Sequence, residues 1–142
     1  MEKSFDGTTG ALWVQLGYWL PPVVYVAIIF YLSSLSHPET LVPGLLPLFG
    51  DKLIHAGEYG LLGILCYRAF RYGSGLTTGT AVLMAIAAAT LYGVTDEIHQ
   101  AFVPLREADP WDLVADLAGS TVAALLWMWG SEAAVSTGSP VP

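Results

Sequence analysis

The sequence has few charged residues: 12% of its 142 residues are Asp, Glu, Lys or Arg, whereas 54% are hydrophobic. A typical soluble domain carries about 25% charged residues. A chain with half that proportion has too little charge to cover a water-facing surface. The composition therefore excludes an ordinary soluble domain and indicates an integral membrane protein. The length leaves room for a single domain.

Basic residues and cysteine are also scarce. Five Lys and Arg residues stand against twelve Asp and Glu, which gives a net charge of −7 at pH 7. The sequence contains no basic stripe interleaved with aromatic residues, so we expect no nucleic acid partner. The single cysteine, Cys66, excludes an internal disulfide. It stands in the middle of a hydrophobic run and is interpreted as a buried apolar residue.

Hydrophobic residues are collected in four runs, at about 12–32, 53–70, 80–102 and 111–129. Each is long enough to cross the hydrocarbon core of a bilayer, which takes ~20 helical residues. We therefore predict an all-α protein, a polytopic membrane helix bundle with four transmembrane helices. Residues 1–132 form this domain, and residues 133–142, which are small or polar, form a disordered tail.

Two segments that each contain two prolines interrupt this pattern. Pro21 and Pro22 lie inside the first run and are expected either to kink the helix or to start a second half-helix. Segment 41–50 is apolar but too short to span, so we expect an interfacial or re-entrant segment there. The second run is the least apolar, and we expect the other helices to surround it.

The few basic residues predict the orientation. With four spans, Lys3, Arg68 and Arg71 share one side of the membrane, and Lys52 and Arg106 share the other. Cytoplasmic loops carry the excess of Lys and Arg. We therefore predict a multi-pass protein of the bacterial cytoplasmic membrane with a cytoplasmic N-terminus.

Polar residues gather at the ends of three runs, and the alternation of spans places them all at one membrane face, directed outward. Charges at that depth are costly in lipid, so they usually line a buried site. His55, Glu58 and Tyr59 follow helical spacing and share one helix face. We predict one pocket from these residues: Asp51, Lys52, His55, Glu58, Tyr59, Asp96, Glu97, His99, Gln100, Arg106, Asp109, Asp112 and Asp116.

Four members of this set are candidates for catalysis, because imidazole and carboxylate groups can transfer protons. They are His55, Asp96, Glu97 and Asp112. The others are candidate binding residues. Some also have a purely structural interpretation: Asp51 and Asp109 as helix caps, Lys52 as an interface anchor and Tyr59 as a core residue.

Carboxylates far outnumber bases in the predicted pocket. So many anions cannot all stay ionised in a low dielectric, so either some are protonated or a divalent cation lies among them. Histidine with carboxylates suits Zn²⁺, and carboxylates alone suit Mg²⁺ or Ca²⁺. No spacing matches a recognised metal signature, and no other cofactor is implied.

Three blocks resemble the VanZ-like family of small bacterial membrane proteins. They are Asp51-Lys52-x-x-His55-x-x-x-Tyr59, Asp96-Glu97-Ile98-His99-Gln100-x-Phe102-x-Pro104, and Arg106 followed by Asp112-x-x-x-Asp116-x-x-Gly119. The resemblance implies a four-helix membrane protein linked to resistance against lipoglycopeptide antibiotics such as teicoplanin. Two positions depart from the family pattern: Leu105 stands where Gly often precedes the Arg, and Asp116 stands where Asn is frequent.

Three functions compete. In the first, the outward pocket engages a cell-envelope molecule, namely a lipid-linked precursor, a phospholipid head group or the lipoglycopeptide itself, with Arg106 and Lys52 on phosphate. In the second, the protein is a membrane enzyme that acts on a lipid or envelope substrate, with His55 as acid or base. An ion or proton pathway is disfavoured, because the polar residues stop at one membrane face. The expected partners are the bilayer and an envelope lipid or lipoglycopeptide; the residues leave the oligomeric state open.

Overall fold

The computed structural model describes residues 7–37, 40 and 50–137. These residues form four long helices: α1 (Gly7–Ser33), α2 (Asp51–Arg68), α3 (Thr78–Gln100) and α4 (Pro110–Thr137). A π-helical turn, Ala69–Gly73, continues α2. No strand occurs in the described ranges, so the prediction of an all-α protein is confirmed there.

Three of the helices are long and apolar enough to cross a membrane: Gly10–Ser33 in α1, Thr78–Gln100 and Pro110–Ala134 in α4. The 18 residues of α2 are not apolar enough, because they include Asp51, Lys52, His55, Glu58 and Arg68. The structure thus supports three of the four predicted crossings. The fourth crossing stays a prediction, and so does the orientation that depends on it.

The prolines of the first run lie within one continuous helix. Both Pro21 and Pro22 are inside α1, which runs unbroken from Gly7 to Ser33. Of the two alternatives for this run, a separate second half-helix is therefore wrong. Prolines are tolerated in membrane helices when neighbouring groups satisfy the freed carbonyls. Beyond the prolines, the Val26 carbonyl accepts a hydrogen bond of 2.9 Å from the Tyr92 hydroxyl, which joins α1 to α3.

Helix α2 packs against α1, α3 and α4. Its inner face buries Tyr59, Leu62 and Tyr67 completely, and Cys66 is buried as predicted. Leu53 and Leu61 on its outer face stay exposed, so the other helices surround α2 only in part.

Small residues bring α2 and α4 into backbone contact. A Cβ atom added at Gly119 of α4 would overlap the Ala56 carbonyl of α2, and one added at Gly63 would lie 2.7 Å from the Ser120 carbonyl oxygen. Ser120 itself is fully buried. Gly119 and Ser120 therefore form the packing side of α4, as predicted, and this close approach sets the distance between the polar residues of the two helices.

Two predicted segments fall at the limits of the described chain. Helix α4 extends to Thr137 and so includes the first residues of the segment predicted as a tail. Residues 138–142 lie outside the described residues, and so do residues 41–49 of the predicted interfacial segment.

Candidate functional site

Lys52 joins the start of α2 to the start of α4. Its Nζ donates to Asp109 Oδ2 and Asp112 Oδ1, each at 2.5 Å, and lies 3.3 Å from Asp51 Oδ2. Partial burial alone would lower the pKa of Lys52, but the hydrogen bonds to Asp109, Asp112 and Asp51 raise it above its ordinary value. Lys52 is therefore a firmly charged bridge between the two helices.

Asp109 is both a helix cap and a partner of Lys52. Its Oδ1 accepts from the Trp111 backbone N–H at 2.9 Å, which satisfies a free donor at the start of α4. The hydrogen bond from Lys52 and this backbone hydrogen bond lower the pKa of Asp109. The capping role that the sequence suggested for Asp51 is not observed, because Gly50 occupies the N-cap position of α2 and Asp51 is the first helical residue.

His55 lies between two carboxylates of α4. Its Nδ1 is 3.1 Å from Asp116 Oδ1, and its Nε2 is 4.0 Å from Asp112 Oδ2. Asp116 is only 1% exposed and Asp112 only 5%. The imidazole is therefore held in orientation by Asp116 from one side and faces a second acid from the other.

Glu97 brings the third helix to the same place. One of its oxygens accepts from the Asp109 backbone N–H at 2.9 Å, which ties the end of α3 to the start of α4. One donor atom each from His55, Glu97 and Asp116 lies within 4.8 Å of the other two. These residues, one from each of three helices, could hold a metal ion.

A cavity of about 1320 Å³ begins beside this cluster. Residues of all four helices line it, and α2 contributes the largest share. Its polar end is lined by Asp51, His55, Glu58, Asp96, Gln100 and Arg106. The rest of the cavity is apolar and includes Ile29, Leu61, Ile64, Val122 and Leu126.

The apolar part of the cavity opens sideways. Leu61, Val122 and Leu126 line it and are also 45%, 57% and 59% exposed. Val122 and Leu126 belong to α4, one of the candidate membrane helices. Part of the apolar lining therefore continues onto the apolar surface of a candidate membrane helix.

Arg106 is a cation at the polar end of the cavity, whereas Lys52 does not line the cavity. Its Nε is buried and has no hydrogen-bond partner in the described part of the chain. The preceding residue, Leu105, has a φ of 65°, which is the left-handed region that glycine adopts easily. Leu105 thus adopts a backbone conformation that suits glycine, and the next residue, Arg106, lines the cavity.

Some predicted site residues have other surroundings. His99 Nε2 is 3.0 Å from Ser34 Oγ, and its ring stacks on Phe30 at 4.5 Å, so His99 joins α3 to α1 outside the cavity lining. Tyr59 is fully buried in the core and also lies outside the lining. Gln100 donates to Asp96 Oδ2 at 3.0 Å, and both residues line the cavity.

Helix α1 contributes residues that the sequence analysis missed. Tyr25 and Ser33 line the cavity, and the Tyr25 hydroxyl donates to the Glu58 carbonyl at 3.3 Å. The first run was interpreted only as a hydrophobic span. Its polar residues, spaced two turns apart toward one end, were the signal available for placing α1 beside the site.

The helices and the site together define a multi-pass membrane protein with a polar cluster and a cavity between its helices. A family model described as VanZ/LLP1 matches residues 15–131. The match covers well over half of the chain, so the protein belongs to this family, and the resemblance carried by the three sequence blocks is confirmed. Neither a curated protein nor a solved structure matches the chain significantly.

Proposed function

We propose that this protein binds an amphipathic lipid of the cell envelope, with the head group at the polar end of the cavity and the chain along its apolar part. The carrying observation is the shape and polarity of the cavity. Its charged residues gather at one end, and the apolar residues that line the rest include the exposed Leu61, Val122 and Leu126. This pattern supports a ligand with a polar head and an apolar chain. The volume of the cavity, about 1320 Å³, exceeds the ~300–1,000 Å³ of typical small-molecule pockets.

The guanidinium of Arg106 favours a phosphate-containing head group. Lys52 is already engaged by Asp109 and Asp112, whereas the buried Nε of Arg106 has no partner among the described residues. A guanidinium binds phosphate through two parallel charge-assisted hydrogen bonds. Asp96 and Glu58 line the same end and could accept hydrogen bonds from head-group hydroxyls. The ligand chemistry that fits is therefore a phospholipid or a polyprenyl-phosphate precursor.

A membrane enzyme is the second candidate, and one observation favours it. His55 lines the cavity while Asp116 orients its ring from behind at 3.1 Å. A histidine held by a buried carboxylate is an arrangement suited to proton transfer. In that case His55 would exchange a proton with a hydroxyl or water at the head group, and the lipid would be the substrate.

The test is photolabelling of the purified protein in lipid nanodiscs. The probe is a phosphatidylglycerol analogue with a diazirine near the end of one acyl chain. We expect label on α2 and α4 residues of the cavity, and we expect Val122→Trp to block it. Val114→Trp is the matched control, because Val114 is 52% exposed on the same helix but does not line the cavity.

Competition then identifies the occupant. Three competitors are compared: a polyprenyl phosphate, a phospholipid and teicoplanin. The one that displaces the probe at the lowest concentration identifies the preferred class of ligand. Arg106→Gln should weaken the binding of phosphate-bearing competitors by about 10- to 150-fold, since a hydrogen bond to a charged group contributes about 1.5–3 kcal/mol. Arg71→Gln, at the opposite end of the helices, serves as its control. Equal labelling of wild type, Val122→Trp and Val114→Trp would refute the proposal.

A further inference from the structure

Three donors from three helices meet beside the cavity. One atom each of His55, Glu97 and Asp116 lies within 4.8 Å of the other two. We propose that they bind a divalent transition-metal ion, with Zn²⁺ as the expected ion. Zinc is bound by imidazole nitrogen and carboxylate oxygen. Mg²⁺ and Ca²⁺ prefer ligand sets made of oxygen alone, so the imidazole favours zinc over both.

The burial of Asp116 is an independent reason to expect a cation. Its side chain is 1% exposed, and its Oδ2 has no hydrogen-bond partner in the described residues. A buried carboxylate without full compensation is costly. The nearest lysine in the cluster, Lys52, is taken up by Asp109 and Asp112.

The backbone of α3 packs closely against this carboxylate. A Cβ atom at Gly93 would lie 2.9 Å from Asp116 Oδ2, so any other residue there would crowd the oxygen. Gly93 therefore lets α3 lie directly against Asp116, which helps to keep the carboxylate out of solvent.

The separation of one donor pair agrees with coordination, and all three donors lie within 4.8 Å of one another. His55 Nδ1 and Asp116 Oδ1 are 3.1 Å apart. Two atoms that each lie about 2.0 Å from a tetrahedral zinc are about 3.3 Å apart. The other ring nitrogen of His55 faces Asp112 Oδ2 at 4.0 Å, where a metal-bound histidine commonly has a carboxylate.

Three protein ligands leave a fourth position open, as in zinc sites that bind a water or a substrate. His55 is the donor that also lines the cavity, so an ion held by these residues would lie beside its polar end. The ion site itself does not depend on the proposed lipid function, since it can be measured without added lipid.

The test is metal analysis of the purified full chain. The protein is stripped with chelator, loaded with Zn²⁺, dialysed and analysed by elemental mass spectrometry, with affinity measured against a chromophoric chelator. We expect one Zn²⁺ per chain, and at least about tenfold weaker binding in Glu97→Gln and Asp116→Asn. Glu107→Gln is the matched control, because Glu107 is an exposed carboxylate outside the donor set. Mg²⁺ should not compete.

X-ray absorption adds a readout that does not depend on variants folding. The zinc spectrum should contain nitrogen and oxygen neighbours and no sulfur, which excludes adventitious binding by Cys66. If Asp116→Asn fails to fold, Glu97→Gln carries the mutational test, since Glu97 is only half-buried. Absence of retained zinc, equal affinity in Glu97→Gln and Glu107→Gln, or a sulfur ligand would each overturn the proposal.

Discussion

The contact between α2 and α4 can be tested with one methyl group, in Gly119→Ala. The new Cβ would lie 2.6 Å from the carbonyl carbon and 2.7 Å from the Cα of Ala56. Carbon atoms approach to about 3.5 Å, so the helices must separate by roughly 1 Å. Overpacking of this kind costs about 1–3 kcal/mol. The same movement would lengthen the 3.1 Å distance between His55 Nδ1 and Asp116 Oδ1 beyond hydrogen-bonding range.

The assay is thermal unfolding of matched variants in one detergent, together with zinc affinity as a readout of the His55–Asp116 geometry. Gly130→Ala is the control on the same helix, because a Cβ there meets nothing within 4 Å. It should raise stability by up to about 1 kcal/mol through helix propensity alone. If Gly119→Ala unfolds at the same temperature as Gly130→Ala, the backbone contact is not as the structure has it, and the reasoning is refuted.

Two of the three further predictions follow from single contacts. Leu105→Gly should stabilise the fold by about 0.5–1 kcal/mol, because the residue has a φ of 65° and a non-glycine residue there is strained. Thermal unfolding is the measurement. A lower stability of the variant would show that the contacts of the leucine side chain outweigh the backbone strain. The pKa of Asp109 is lowered in the folded state, so Asp109 stabilises the fold above its ordinary pKa of 3.8, and this stabilisation is lost as the pH falls through the folded-state pKa. Lys52→Gln should therefore reduce the fall in melting temperature at acid pH. An unchanged fall would contradict the pairing of Lys52 with Asp109. The third prediction rests on the family resemblance and on the proposed function rather than on a contact: expression of the wild type in a Gram-positive host should reduce susceptibility to teicoplanin but not to vancomycin. Arg106→Gln at matched membrane levels should restore susceptibility, and no difference between the strains would separate this protein from resistance.

Much of the fold could be predicted from composition and periodicity. The run at 80–102 coincides closely with α3, because apolar length alone predicts a membrane helix, whereas the run at 111–129 gives the start of α4 but not its end at Thr137. Helix α2 was harder, since the charges that mark it as part of a site also lower its hydropathy below that of a membrane span. The same residues thus point to the site and obscure the topology.

The sequence predicted which helix ends lie together at the site, but not which side chains contact one another there. Spacing put His55 and Glu58 on one face, but it could not tell that His99 would face α1, where it contacts Ser34 and Phe30. Which face of α3 meets which neighbour depends on crossing geometry between helices, set by Gly93 and Gly119. Those contacts are tertiary and leave no periodic signal in a single sequence.

The two cations at the polar end have different roles, and this difference makes the lipid and metal proposals separable. Lys52 neutralises carboxylates within the protein, whereas Arg106 has a buried Nε without a partner in the described chain. If zinc and Arg106 hold one phosphate together, removal of zinc should weaken the binding of phosphate lipids to the wild type. Removal of zinc should have little further effect on Glu97→Gln, because that variant already binds zinc weakly. Val122→Trp should abolish lipid labelling and leave zinc affinity unchanged, because it fills the apolar part of the cavity away from the donors. Loss of zinc in Val122→Trp would instead mean that the cavity and the donor cluster are one structural unit, and lipid binding could then no longer be assigned to the cavity from that variant alone.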